Sequence, residues 1–230
     1  MFRIDPHVHT RETSPCGRLS AEELVRLYKV SNYDAIVITD HYYRNCFDIM
    51  GDLPWEDKIH KFLYGYRNAL IAGRKLGVKV FLGMEISFLD ENSNDYLVYG
   101  MDPEFLIENP QLYTLGILGF RILADSLGLA VFQAHPFRPR MIPMGKTAVH
   151  GCEVYNGNPR QESQNHLAVA FAAREGLRQI AGSDCHQSDD VGKGGILLPE
   201  SIDLSSQLAG ILLTRDPDLY IRDPEEDPRE

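Results

Sequence analysis

The stretch Ala35-Ile36-Val37-Ile38-Thr39-Asp40-His41 runs through β-branched and apolar residues and then breaks off in two side chains able to ligate a cation or move a proton. A run so short and so uniformly apolar reads as a strand buried on both faces, the environment a parallel sheet acquires when helices cover it. Similar runs stand at Phe2 to Pro6, Val78 to Leu82, Tyr96 to Tyr99, Ala130 to Ala134, Gly151 to Val154 and Arg178 to Ala181. Between them, helical periodicity predicts helices over Ser20 to Val30, Trp55 to Leu76, Leu115 to Leu127 and Arg160 to Glu175. Ser20 and Glu23 have the spacing of a capping box, and Gly77, Gly128 and Gly176 stand where helix C-caps belong. A last apolar stretch, Leu204 to Leu213, reads as a helix or a helix followed by a strand. Strands and helices alternating in this way define an α/β fold built on a parallel sheet or barrel.

Polar residues gather where these strands end: His7 and His9, Asp40 and His41, Glu85, His135, and Asp184 with His186. In α/β sheets and barrels the carboxyl ends of the strands carry ligands and chemistry, so segments remote in sequence converge there. Within Asp5-Pro6-His7-Val8-His9-Thr10, strand geometry sends Asp5, His7 and His9 to one face, and two imidazoles so placed can chelate one divalent cation. Each ending by itself is ordinary, a strand followed by a polar loop or a carboxylate in a salt bridge. Their recurrence is not, because buried histidines and carboxylates are costly unless paired or bound to metal. The joint pattern predicts a metal site.

The bulk properties narrow the function. A chain of 230 residues, 43% hydrophobic and 24% charged, has ordinary globular composition. Its formal charge of -10, from 23 basic and 33 acidic residues, argues against a surface that neutralises many phosphates, so no long nucleic acid is expected as a partner. Cys16, Cys46, Cys152 and Cys185 show no CxxC spacing and are expected to be reduced thiols. No apolar run approaches the roughly 20 residues of a spanning helix, and with no signal-peptide pattern a cytoplasmic location is expected. Asp216 to Glu230 is rich in Asp, Glu and Pro and reads as a solvated tail, which sets the expected organisation as a domain over 1–214 and an acidic segment over 215–230.

Taken in order, the motifs resemble those of the PHP domain (polymerase and histidinol phosphatase) family. They are DPHVHT at Asp5 to Thr10, ITDH at Ile38 to His41, GMEIS at Gly83 to Ser87, AHPF at Ala134 to Phe137, EVYNG at Glu153 to Gly157 and GSDCH at Gly182 to His186. The resemblance implies a distorted seven-stranded, TIM-like (β/α) barrel with two or three divalent cations, commonly zinc, iron or manganese. It further implies phosphoesterase activity on a small phosphorylated substrate. Carried over, it assigns the first cation to His7, His9, Glu85 and Asp184, the second to Glu85 and His135, and the third to His41 and His186. Where the family has two further histidine ligands, this sequence has Cys16 and Asp95, which suit zinc and harder cations respectively.

Phosphate-ester hydrolysis also calls for a cation against the non-bridging oxygens, and guanidinium has the matching geometry. Arg11, Arg44 and Arg138 lie just beyond ligand motifs, and Arg138 is the expected catalytic arginine beside Glu85 and Asp184. For Arg11 and Arg44 a surface salt bridge is the simpler expectation. Glu153 and Asn156 are expected to orient a ligand or the substrate, while His60, His150 and His166 read as ordinary surface or helix residues. The competing functions are C–N bond hydrolysis of the amidohydrolase type and a non-catalytic accessory role.

Overall fold

The computed structural model describes residues 1–89 and 93–222. In chain order the elements are β1 (Phe2–Val8), α1 (Ala21–Val30), β2 (Ala35–Ile38), β3 (His41–Tyr42), α2 (Arg44–Asp48), α3 (Trp55–Phe62), α4 (Tyr64–Leu76), β4 (Lys79–Ser87) and β5 (Asp95–Tyr99). There follow α5 (Pro103–Glu108), α6 (Gly116–Leu127), β6 (Ala130–Gln133), β7 (Gly151–Asn156), α7 (Asn165–Glu175), β8 (Arg178–Gly182), β9 (Gly194–Leu198), α8 (Ser205–Thr214) and β10 (Asp218–Ile221).

The strands line up as β10-β9-β1-β2-β4-β5-β6-β7-β8, with β3 on β4. The stretch from β1 to β8 curls back on itself, and a parallel bridge between Val8 and Cys185 joins its two ends into a nearly closed barrel. Its seven staves coincide with the seven runs picked out in the sequence. Alternation along them divides the apolar residues between two environments. Ala35, Val37, Phe81, Leu97, Phe132 and Ile180 form one buried cluster with α8, whereas Ile36, Ile38 and Val80 pack with Leu24, Val25 and Tyr28 of α1 and Ala69 and Ala72 of α4. Both faces of β2 are therefore covered. Each such side chain, fully removed from water, contributes roughly 1.5–3 kcal/mol.

Capping signals act as expected. Ser20 and Glu23 form a reciprocal capping box at the start of α1, and Gly77, Gly128 and Gly176 end their helices in the left-handed region at φ 73°, 68° and 59°.

The sheet departs from the expected parallel order at β5, which runs antiparallel to both β4 and β6. The short connection between Ser87 and Asp95 leaves no room for the crossover helix that a parallel pair requires. The segment Trp55 to Leu76, expected as one helix, divides at Leu63. Thr13 explains the break: its hydroxyl donates to the Phe62 carbonyl oxygen at 3.0 Å and accepts the Gly65 N–H at 3.2 Å, taking two helix groups out of the ladder. A Cβ at Gly65 would stand 1.9 Å from Thr10 Oγ1, so only glycine lets α4 come this close to the end of β1.

The helix expected from Arg160 starts only at Asn165. Asn158 Oδ1 holds the Arg160 amide, Asn165 Oδ1 accepts the Asn156 amide, and Gln164 takes a positive φ of 48°. Over its described part the solvated tail expected from Asp216 is instead paired with the sheet. Asp218–Ile221 pairs antiparallel with β9, Asp216 accepts the Gln179 amide, and Arg3 lies 4.0 Å above the Tyr220 ring. The remainder of that stretch, residues 223–230, lies outside the described residues.

Candidate metal centre

Strand ends bring the predicted ligands together at one mouth of the barrel. Glu85, within β4, stands at the middle of the group. Its Oε1 lies 3.4 Å from His7 Nε2 and 3.1 Å from His135 Nε2, and its Oε2 lies 3.5 Å from His9 Nε2 and 2.7 Å from His41 Nδ1. Asp184 faces it across the mouth, with Oδ1 3.4 Å from the Nε2 atoms of both His7 and His9 and 3.3 Å from His186 Nδ1. Cys16 Sγ is 3.1 Å from His41 Nε2, and Asp95 groups with Glu85 and His135. All nine predicted metal ligands thus lie in one cluster.

Two of these residues pay for their positions in backbone strain. His135 and Asp184 adopt φ angles of 30° and 50°, a region that non-glycine residues rarely visit and that concentrates at functional sites. Small neighbours make the crowding possible: a Cβ on Gly182 would meet His7 Cβ at 2.7 Å and Glu153 Oε1 at 2.8 Å.

An outer layer fixes the inner one. Glu153 Oε1 lies 2.9 Å from His7 Nδ1, which directs His7 Nε2 at Glu85 and Asp184. Its Oε2 accepts the His135 amide and the Asn156 side-chain amide, so the expected orienting pair acts jointly. His135 Nδ1 lies 3.3 Å from Met141 Sδ. Asp5 was expected to share a face with His7 and His9 but stands behind them, accepting the Tyr28 hydroxyl at 2.6 Å and the Ser183 amide. A register irregularity in β1 between Asp5 and Val8 accompanies this change of direction. Asp40 likewise turns from the cluster and accepts Thr10 and Ser14, leaving His41 to face it.

The charges are strongly coupled. Burial opposes ionisation of Glu85, yet the His41 and His7 charges hold its carboxyl well below the usual range, and burial of Asp184 is likewise outweighed by His7, His9 and Arg138. Burial resists protonation of His7, but Glu153, Asp184 and Glu85 hold it well above an ordinary imidazole. His9 moves the other way, because burial and the neighbouring His186 and His41 all disfavour its charge.

The residues fit divalent cations. Sets of three donors, His7 with His9 and Glu85, His7 with His135 and Asp184, Glu85 with Asp95 and His135, and His9 with His41 and His186, each offer atoms within 4.8 Å of one another. His7 Nε2 and His9 Nε2 are buried without a hydrogen-bond partner, which is costly unless something else satisfies them.

The cluster opens into a cavity of about 480 Å³. Arg138 is on its wall, donating from Nη2 to Asp184 Oδ2 at 2.6 Å and to Asn156 at 2.7 Å, and from Nε to Ser163 at 3.1 Å. Arg44 instead pairs with Asp48 on the exposed face of α2, and Arg11 is exposed and does not line the cavity. Two arginines not singled out in the sequence do line it, Arg18 and Arg160, together with Asn158, Gln161 and Gln187. Arg18 comes from the loop after β1 and Arg160 from that after β7, places no local pattern marks.

A barrel with imidazoles and carboxylates gathered at its strand ends defines a metal-dependent hydrolase. The chain belongs to the PHP domain family, whose model matches residues 5–200. No curated protein matches the chain. Among solved structures, PsfC from Pseudomonas syringae PB-5123 is similar with a TM-score of 0.63 and 21% identity, covering 96% of this chain and 93% of that one. A two-domain protein from Bacteroides vulgatus containing a predicted PHP-like metal-dependent phosphoesterase has a TM-score of 0.60 at 19% identity, covering 96% of this chain and 64% of that one. An amidohydrolase from Chromobacterium violaceum with bound sulfate and no metal has a TM-score of 0.54 at 18% identity, covering 97% and 99%. At these identities the likeness establishes the fold. Among the described residues no helix is long and apolar enough to cross a membrane.

Proposed function

We propose that the protein hydrolyses a small phosphate ester at a centre of two or three divalent cations. His7, His9, His41, His135, His186, Glu85, Asp95, Asp184 and Cys16 are the ligands, and Glu85, Asp184 and Arg138 carry the reaction. The observation that favours a phosphorylated substrate is the state of Arg138. Its Nε and Nη2 are clamped by Ser163, Asn156 and Asp184, Nη1 makes no hydrogen bond among the described residues, and the residue lines the cavity. A guanidinium held in advance, with the N–H groups of Nη1 unspent, suits a non-bridging oxygen of a phosphoryl group. Arg18 adds positive charge to the mouth of a chain whose formal charge is -10, which favours an anionic substrate over a neutral amide, while Arg160 on the same wall is paired through both Nη atoms with Asp190.

Divalent cations at these ligands would supply Lewis acidity and lower the pKa of a water molecule to about 7. The chain's own residues position the reaction. Glu153 keeps His7 in one orientation, Arg138 aligns the phosphoryl group, and Asn158 and Gln161 offer neutral donors to the rest of the ester. With manganese or zinc restored, the protein should release inorganic phosphate from a panel of phosphomonoesters and nucleotide-like diesters, and chelation or His9→Ala should abolish the release. Release of amine from amide substrates with no phosphate from any ester would overturn the reading.

A pH dependence follows from His7. Its pKa is raised in the cation-free protein, so at neutral pH the imidazole holds a proton that a cation must displace. Below that raised pKa, cation affinity should fall about tenfold per pH unit for each proton displaced, roughly 1.4 kcal/mol, and above it the dependence should flatten. Chelator competition at several pH values measures this; an affinity unchanged on acidification would contradict it.

A further inference from the structure

The donors of the cluster are not uniform. On one side His9, His41 and His186 form one donor set, with Cys16 Sγ 3.1 Å from His41 Nε2; on the other stand Glu85, Asp95 and His135, with two carboxylates and one imidazole. Cys16 is held in place. The Gly17 amide donates to the Ser14 carbonyl oxygen at 2.9 Å and the Arg18 amide to the His186 carbonyl oxygen at 2.7 Å, tying this turn to the loop that carries His186. A Cβ at Gly17 would meet the Thr10 carbonyl oxygen at 2.7 Å, so the turn also lies tight against the end of β1. The thiol therefore faces His41 Nε2 by construction.

His9 joins the two ends of the cluster. Its ring stacks on both His41 and His186, with centroids 4.4 and 4.3 Å away, and belongs to one donor set with them, while its buried Nε2, without a hydrogen-bond partner, lies 3.5 Å from Glu85 Oε2 and 3.4 Å from Asp184 Oδ1. Across the mouth, Ser87 donates to Asp95 Oδ1, which leaves Oδ2 to complete an oxygen-rich set with Glu85 and His135. Thiolate and imidazole select zinc-like cations, whereas carboxylate-rich sets suit manganese or iron(II).

We propose that the centre is chemically divided, with a zinc-type position at Cys16, His41 and His186 and a harder position for manganese or iron(II) at Glu85, Asp95 and His135. The division rests on the metal-centre reading above and goes beyond it by assigning different cations to the two ends of one cluster. Cys16 is exposed, so replacing it should leave the fold intact.

Cobalt(II) added to chelator-treated protein tests the sulfur ligand. Wild type should show both ligand-field bands and a sulfur-to-cobalt charge-transfer band. Cys16→Ser should keep the ligand-field bands and lose the charge-transfer band, and its tightly held zinc should bind at least about tenfold more weakly. Cys16→His should recover zinc retention without the charge-transfer band. Elemental analysis after joint exposure to zinc and manganese should find both in wild type, and Asp95→His should exchange manganese for zinc. A charge-transfer band that persists in Cys16→Ser, or zinc alone filling wild type, overturns the division while leaving the metal centre standing. Protein that retains no cobalt at all overturns both.

Discussion

Replacing Glu85 by glutamine should lower kcat/KM by at least about 10³-fold, equivalent to roughly 4 kcal/mol, and remove most of the bound cation. The expectation comes from where the carboxylate sits. Its two oxygens lie between 2.7 and 3.5 Å from nitrogens of His7, His9, His41 and His135, so a single charge serves imidazoles drawn from three strand ends. Glutamine matches its volume but supplies no charge and presents an amide donor where an acceptor is needed. Elemental analysis and kinetics on the same preparation check the result. A variant that keeps its cations and its rate would remove Glu85 from the centre. Stability gives a second readout, because removing one partner of a buried charge network typically costs 3–5 kcal/mol. At neutral pH the cation-free variant should therefore unfold at a lower temperature than cation-free wild type. Glu85 and Asp184 both sit below their ordinary range, so their contribution is present above the unfolded carboxylate pKa and is lost as pH falls through the folded values. The gap between variant and wild type should accordingly narrow in acid.

The staves of the barrel were legible because each is an apolar run confined between turn residues, and most of the ligands were legible because five of the seven runs lead into His, Asp or Glu, whereas Asp95 opens its strand and Cys16 stands in a loop. What escaped the sequence arises between segments. Nothing local shows that Thr13 would divide the long helix at Leu63, since its hydroxyl acts on Phe62 and Gly65 some fifty positions away. The direction of β5 escaped as well, because an apolar run carries no sign of polarity. Asp5 and Asp40 show the limit within the site itself: both stand in ligand motifs, yet both are drawn back by hydroxyls and amides of Tyr28, Ser183, Thr10 and Ser14. A motif marks which residues are near the chemistry. The hydrogen bonds behind it decide which of them face it.

Arg138 separates binding of the substrate's charge from binding of the cations. Arg138→Ala should lower kcat/KM by about 10²- to 10³-fold, the usual loss when one preorganised donor to a charged transition state is removed. Cation affinity should hold or rise, because Asp184 loses a guanidinium 2.6 Å from its Oδ2 and keeps its full charge for the metal. Arg138→Lys should recover part of the rate, since an ammonium restores charge but cannot reach Ser163, Asn156 and Asp184 while keeping an N–H free for the phosphoryl group. Kinetics paired with chelator competition read the two effects separately. If the rate fell in step with cation loss, Arg138 would be no more than a prop for Asp184; if the rate did not fall, the phosphoryl group would have to be held by Arg18 or Arg160, the other guanidinium groups on the cavity wall. A fall in rate without a fall in cation content is the result that only direct contact with the substrate produces.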